Sequence, residues 1–119
     1  MKTLKLFLLI VIITTIGGAL IAQTTSGSSG NQKTETFKVW GECDMCKSRI
    51  EKTVKAEGAT SAAWDEKSQL LTVTYDPSKT NKDGLSKKLA TVGHDTEKYK
   101  ADDKVYEALP GCCHYDRAK

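Results

Sequence analysis

Between residues 34 and 100 the apolar positions switch back and forth between the two-residue period of a strand and the 3.6-residue period of a helix, and that order leaves few folds open. The stretch "TETFKVWG" alternates, with Phe37 and Val39 on one face of a half-buried strand. Next, "CKSRIEKTVKAEG" sets Ile50 and Val54 one turn apart among charges, with Gly58 where a helix C-terminus takes a glycine. "TSAAWDEKSQLLTVTYDP" predicts a hairpin turned at the polar "DEKS", with Leu71, Val73 and Tyr75 on one face and Pro77 ending the second arm. In "SKTNKDGLSKKLATVG", Leu85, Leu89 and Val92 fall at helical spacing, Thr80 or Asn81 serves as N-cap and Gly93 as the stop. "HDTEKYK" reads as a short polar strand, and "ADDKVYEALPG" as a short helix ending at Pro110.

The order β-α-β-β-α-β specifies an α+β, ferredoxin-like fold: a four-stranded antiparallel sheet with both helices on one face, followed by a C-terminal helical tail. Its expected core is Phe37, Val39, Ile50, Val54, Leu71, Val73, Leu85, Leu89 and Val92, modest, as domains of this size are. Trp40 and Trp64 are read as sheet packing.

Ahead of this domain stands "MKTLKLFLLIVIITTIGGALIAQ", with Lys2 and Lys5 followed by an uncharged stretch over residues 6–22. Its most apolar part is short for a bilayer crossing, so residues 1–22 read as an export signal, with an uncleaved anchor as the rival. The Ser, Thr and Gly-rich residues 23–33 form a flexible linker. Without Lys2 and Lys5 the basic count falls from 18 to 16 against 15 acids, so the nominal charge of +3 drops to about +1 and carries no nucleic-acid footprint. Export implies a periplasmic or secreted protein that, once the signal is cut, is free of the membrane. In such a compartment thiols meet oxidants, and the four cysteines of this chain need a reason to be there.

Cys43 and Cys46 stand three positions apart at the start of the first helix. Sulfurs there lie beside unpaired backbone amides at the positive end of the helix dipole, which favours thiolates. Lys47 and Arg49 add positive charge but, read as solvated side chains, contribute little. Two neighbouring thiolates bind a soft monovalent ion in two-coordinate fashion or supply half of a tetrahedral site.

These features resemble the heavy-metal-associated domain family, which is similar to periplasmic mercury-scavenging proteins and copper chaperones. The resemblance spans residues 34–100 and rests on Cys43-x-x-Cys46 opening the helix, "RIEKTV" after it, "LLTVTYDP", and a second helix ending in "VGH". It implies the same fold, with metal held by the two cysteines at one end of the sheet: Cu(I) first, Zn(II) or Hg(II) as further candidates. The implied partners are a metal-transporting membrane pump or another metal-binding protein. One departure stands out. The family motif carries a methionine before the first cysteine, whereas "VWGEC" has none, and Met45 is read as supplying that packing, with an outward thioether near the metal as the rival reading. By resemblance His94 lies beside the cysteine loop, either as a third ligand or as a surface histidine without a partner.

In residues 101–119 the stretch "GCCHYDR" places Cys112, Cys113 and His114 consecutively. A disulfide between adjacent cysteines closes a strained ring, which leaves three arrangements open: the tail completes the Cys43/Cys46 site, it forms a second site with His114, or one tail cysteine pairs with Cys43 or Cys46. The candidate metal ligands are therefore Cys43, Cys46, Cys112, Cys113, His94 and His114. Two other functions compete. A thioredoxin-like oxidoreductase also uses Cys-x-x-Cys at a helix start, but Pro77 and Pro110, the two prolines of the chain, both end other elements and neither cradles a substrate. A secreted domain stapled by disulfides is the other. The expected function is non-enzymatic: a carrier that passes a soft metal by thiolate exchange. The mature chain is expected to begin at Gln23, which intact-mass analysis of exported protein checks; a mass retaining residues 1–22, together with membrane fractionation, would defeat it.

Overall fold

A computed structural model describes residues 31–119; the expected signal and most of the linker lie outside the described residues. Strand β1 runs over Lys33–Lys38, helix α1 over Asp44–Ala56, strands β2 and β3 over Ala59–Trp64 and Leu70–Tyr75, and helix α2 over Lys82–Thr91. A five-residue helix α3, Asp103–Glu107, and a 3-10 turn, Gly111–Cys113, form the tail. Among the described residues no helix is long and apolar enough to cross a membrane.

The helix boundaries follow the local chemistry read from the sequence. Asn81 caps α2, its side-chain oxygen accepting from the Gly84 N–H at 2.7 Å. Gly58 and Gly93 follow the ends of α1 and α2 with φ of +114° and +106°, a region where a Cβ is costly. The sheet is antiparallel in the order β1-β3-β2. Its register pairs Phe37 with Leu71 and Glu35 with Val73, so one face collects Phe37, Leu71, Val73, Tyr75 and Trp64 against Ile50 and Val54 of α1 and Leu85 and Leu89 of α2. The opposite face carries threonines, which pair across strands as Thr34 with Thr74 at 2.8 Å and Thr36 with Thr72 at 3.1 Å.

Two expectations are corrected here. The fourth strand shrinks to a single bridge between Val39 and Thr96, and the described sheet has three strands. The reason is local. The Thr96 N–H turns back to the Tyr99 carbonyl at 2.7 Å and the Tyr99 N–H returns to the Thr96 hydroxyl at 3.0 Å, so this segment folds on itself. The edge of β1 is satisfied instead by the Glu97 carboxylate on the Lys38 N–H at 2.7 Å and by the Asp95 carbonyl on the Trp40 N–H at 2.9 Å. Val92, the C-cap of α2, is half-buried rather than core, because it stands past the last turn that faces the sheet.

That tail contributes Leu109, Cys113 and Tyr115 to the main core. Leu109 packs so closely over Gly93 that a Cβ there would meet its side chain at 2.9 Å. Tyr115 is buried, and its hydroxyl donates to the Gly93 carbonyl at 2.6 Å while accepting from the Asp95 N–H at 2.9 Å. Arg117 reaches both carboxylate oxygens of buried Asp95, at 2.7 Å and 3.0 Å. Tyr115→Phe leaves two buried backbone groups without a partner and is expected to lower stability by about 1–3 kcal/mol; a urea titration should show a lower midpoint with an unchanged slope.

Candidate metal centre

The loop ahead of α1 is built on Trp64. The indole N–H donates to the Val39 carbonyl at 2.9 Å, and Gly41 lies so close to the ring that a Cβ would sit 3.0 Å from it. Gln69, itself at φ 61°, donates its side-chain N–H to the Gly41 carbonyl at 2.7 Å. Glu51 accepts from the Trp64 N–H at 2.9 Å and pairs with Lys47. Both tryptophans are thus packing residues, with Trp64 buried and Trp40 half-buried against the core. On this base Cys43 becomes the N-cap of α1, in extended conformation with no side-chain cap bond.

Cys43 is the hub of the sulfurs. Its Sγ lies 3.6 Å from that of Cys46, 3.1 Å from Cys112 and 3.3 Å from Cys113. Cys112 and Cys113 are 3.9 Å apart. Burial pushes the Cys43 thiol up, but the thiol of Cys112, the Cys46 backbone and the other two thiols outweigh it and bring Cys43 down to about 7. Burial drives Cys46 up to about 12, and the neighbouring Cys43 raises Cys112 to about 11. The group therefore ionises first at Cys43, with protonated neighbours holding the charge. All four cysteines are free thiols in this structure.

The remaining candidates lie elsewhere. His94 is fully buried; its Nδ1 is 2.9 Å from the Trp40 carbonyl and its Nε2 is 3.4 Å from an Arg49 nitrogen, so both ring nitrogens have partners other than sulfur. His114 is exposed and lies tilted against Tyr106, at 5.2 Å between ring centroids. Among the described residues the one cluster of three potential ligands within 4.8 Å is Cys43, Cys112 and Cys113. Met45 does not pack under the loop as expected: it is 50% exposed, and its Sδ accepts from the Cys112 thiol at 3.4 Å. The space beneath is already filled by Trp64 and Cys46, which leaves the methionine on the rim. Arg49 is not a solvated bystander either, since it donates to Cys113 Sγ at 3.4 Å. Sequence reasoning missed Asp95, Tyr115 and Arg117; the signal was the "YDR" that follows the paired cysteines, an aromatic and a cation suited to anchoring.

The chain matches the model of the heavy-metal-associated domain over residues 36–95. It belongs to that family. Among solved structures it is similar to the CopZ metallochaperone, at 29% identity and a TM-score of 0.51, covering 54% of this chain and 98% of that one. The N-terminal soluble domains of Bacillus subtilis CopA give 30% identity and a TM-score of 0.53, covering 57% of this chain. The match spans about half of that structure, 48% of its length. A putative copper-ion-binding protein from Bacillus anthracis str. Ames, 24% identical with a TM-score of 0.54 over 58% of this chain and 100% of that one, shares the fold. No curated protein matches the chain. The family match ends at Asp95, so the tail that brings Cys112 and Cys113 to Cys43 lies beyond it.

His94 sets an acid limit. Burial, with the Arg49 charge adding to it, lowers this imidazole from 6.5 to about 4, against the opposing pull of the Trp40 carbonyl. The unfolded chain takes up the proton near pH 6.5 and the folded chain not until about 4. This contribution is therefore whole above pH 6.5 and falls away as the pH drops towards 4, by up to about 3 kcal/mol. Urea midpoints of metal-free protein between pH 7.5 and 4.5 should slope downwards, and His94→Gln should remove part of that slope.

Proposed function

We propose that this protein is an exported carrier that takes up a soft metal ion, Cu(I) ahead of Zn(II) or Hg(II), and passes it on by thiolate exchange. The observation that carries the reading is the position of Cys43 and Cys46: at the start of α1 in a heavy-metal-associated fold, with sulfurs 3.6 Å apart and the Cys43 thiol already brought down to about 7. A thiolate formed near neutral pH attacks a soft ion without first losing a proton at high cost. The names of the similar structures, a metallochaperone and the soluble region of CopA, agree with a carrier that meets a membrane pump or a second metal-binding protein.

Exchange would run through an intermediate of raised coordination number. An incoming thiolate bonds to the ion, one protein sulfur leaves and takes up a proton, and no electron changes hands. The chain's part is to present Cys43 ionised, to keep Cys46 protonated until the ion arrives, and to hold the loop still through Trp64, Gln69 and Glu51. The location, the ion and the partner are parts of this proposal supported by the export signal read from the sequence, the soft donor set and the family.

Competition against a Cu(I) chelator tests it. Cys43→Ser removes the sulfur that neighbours all the others and should lower Cu(I) affinity by about two orders of magnitude or more; Cys46→Ser should lower it less. Both variants are expected to keep the far-ultraviolet circular dichroism of the parent. Unchanged affinity in both would end the carrier reading.

A further inference from the structure

The tail does more than cover the core, because it delivers two sulfurs to Cys43. The three separations among Cys43, Cys112 and Cys113 are 3.1, 3.3 and 3.9 Å. An ion bonded to three sulfurs at about 2.3 Å in a plane needs them about 4 Å apart, so the triangle has to open by less than about 1 Å, within reach of small side-chain rotations. Cys112 is exposed and Cys113 buried, which gives the group one open side and one closed side.

Further features suit an ion at this point. Arg49 donates to Cys113 Sγ at 3.4 Å, and the same guanidinium nitrogen lies 3.4 Å from His94 Nε2, whose ring is fixed by the Trp40 carbonyl. A cation held in this way offsets part of the excess negative charge that three thiolates bring to a monovalent ion. On the open side the Met45 thioether lies 3.4 Å from Cys112 Sγ, a fourth soft donor at the rim. The tail is not a loose appendage that wanders into the site: Tyr115 and Arg117, directly after it in sequence, are tied to Gly93 and Asp95.

We propose that Cys43, Cys112 and Cys113 form a three-sulfur site for a soft metal ion, completed by the tail and closed on one side by Arg49, with Met45 at its open edge. This deepens the carrier reading and rests on it: the ion first met by the Cys43/Cys46 pair settles on Cys43, Cys112 and Cys113, with buried Cys46 left as a thiol beneath. The site takes a monovalent or divalent ion that accepts three thiolates, and it retains that ion more firmly than a two-sulfur loop. Release begins at exposed Cys112: the incoming thiolate forms its bond to the ion as the Cys112–metal bond breaks, and Cys112 takes up a proton.

The test uses the reduced full chain loaded with one equivalent of Cu(I), compared with Cys112→Ser and with the double variant Cys112→Ser/Cys113→Ser. X-ray absorption should count three sulfurs around copper in the parent and two, at shorter distance, in Cys112→Ser, whose exposed position spares the core. Transfer of copper to a competing dithiol should be at least about tenfold faster in Cys112→Ser, and the double variant should match or exceed that. A count of two in the parent, or a count and transfer rate that Cys112→Ser leaves unchanged, overturns the three-sulfur site while the carrier reading stands. No uptake of Cu(I) or Hg(II) by the parent overturns both.

Discussion

The buried carboxylate of Asp95 is the point to which the far end of the chain is fastened. Its oxygens accept from Arg117, from the Ala101 N–H at 2.8 Å and from the Ala118 N–H at 3.1 Å. Burial works against the charge, yet these donors hold the carboxyl below its ordinary range, and the carboxylate in turn holds the Arg117 guanidinium above its own. Removing one member of such a pair strands the other in a poor solvent, at roughly 3–5 kcal/mol. The same residue meets β1 through its carbonyl, on the Trp40 N–H, and meets Tyr115 through its N–H. One side chain and its peptide thus join the end of α2, the edge of the sheet and the tail. The sulfurs of Cys112 and Cys113 reach Cys43 because this junction fixes where the last turn begins.

The sulfur group owes its chemistry to unequal environments. Cys43 sits at a helix start with amides and thiols around it, Cys46 is sealed in the core, and Cys112 looks outward. Four identical side chains are thereby graded from readily ionised to firmly protonated, which places the first negative charge at the residue that touches all the rest.

Much of this was legible in the sequence wherever a residue's role is set by its neighbours along the chain. The alternation at Phe37 and Val39, the spacing of Ile50 and Val54, the cap at Asn81 and the glycines at 58 and 93 all state local rules, and the corresponding elements stand where those rules put them. The segment after Gly93 was harder, because a polar stretch with a histidine, an aspartate and a threonine fits an edge strand as well as it fits a turn. Two things decided it: the turn in which Thr96 and Tyr99 bond to one another, and Asp95 finding Arg117, a partner 22 residues away. Met45 and Arg49 were misjudged for the same reason. Both gain their positions from Cys112 and Cys113, which no periodicity within α1 announces, and His94 gains its burial from Tyr115, stacked on it at 5.6 Å between centroids.

The distance along the chain between the sulfurs has a kinetic meaning. Cys43 and its tail partners are separated by 69 and 70 residues, which is nearly the whole folded unit, so the loop they close is among the last to close. Until the sheet has formed, α2 has ended at Gly93 and Tyr115 has been seated, the chain presents only the local pair at Cys43 and Cys46. With the ion on the proposed three-sulfur site, a half-unfolded copy would offer it fewer donors than the finished fold. By the same linkage an ion bound there stabilises only the finished fold, by about 2.7 kcal/mol when free ion stands at a hundred times its dissociation constant.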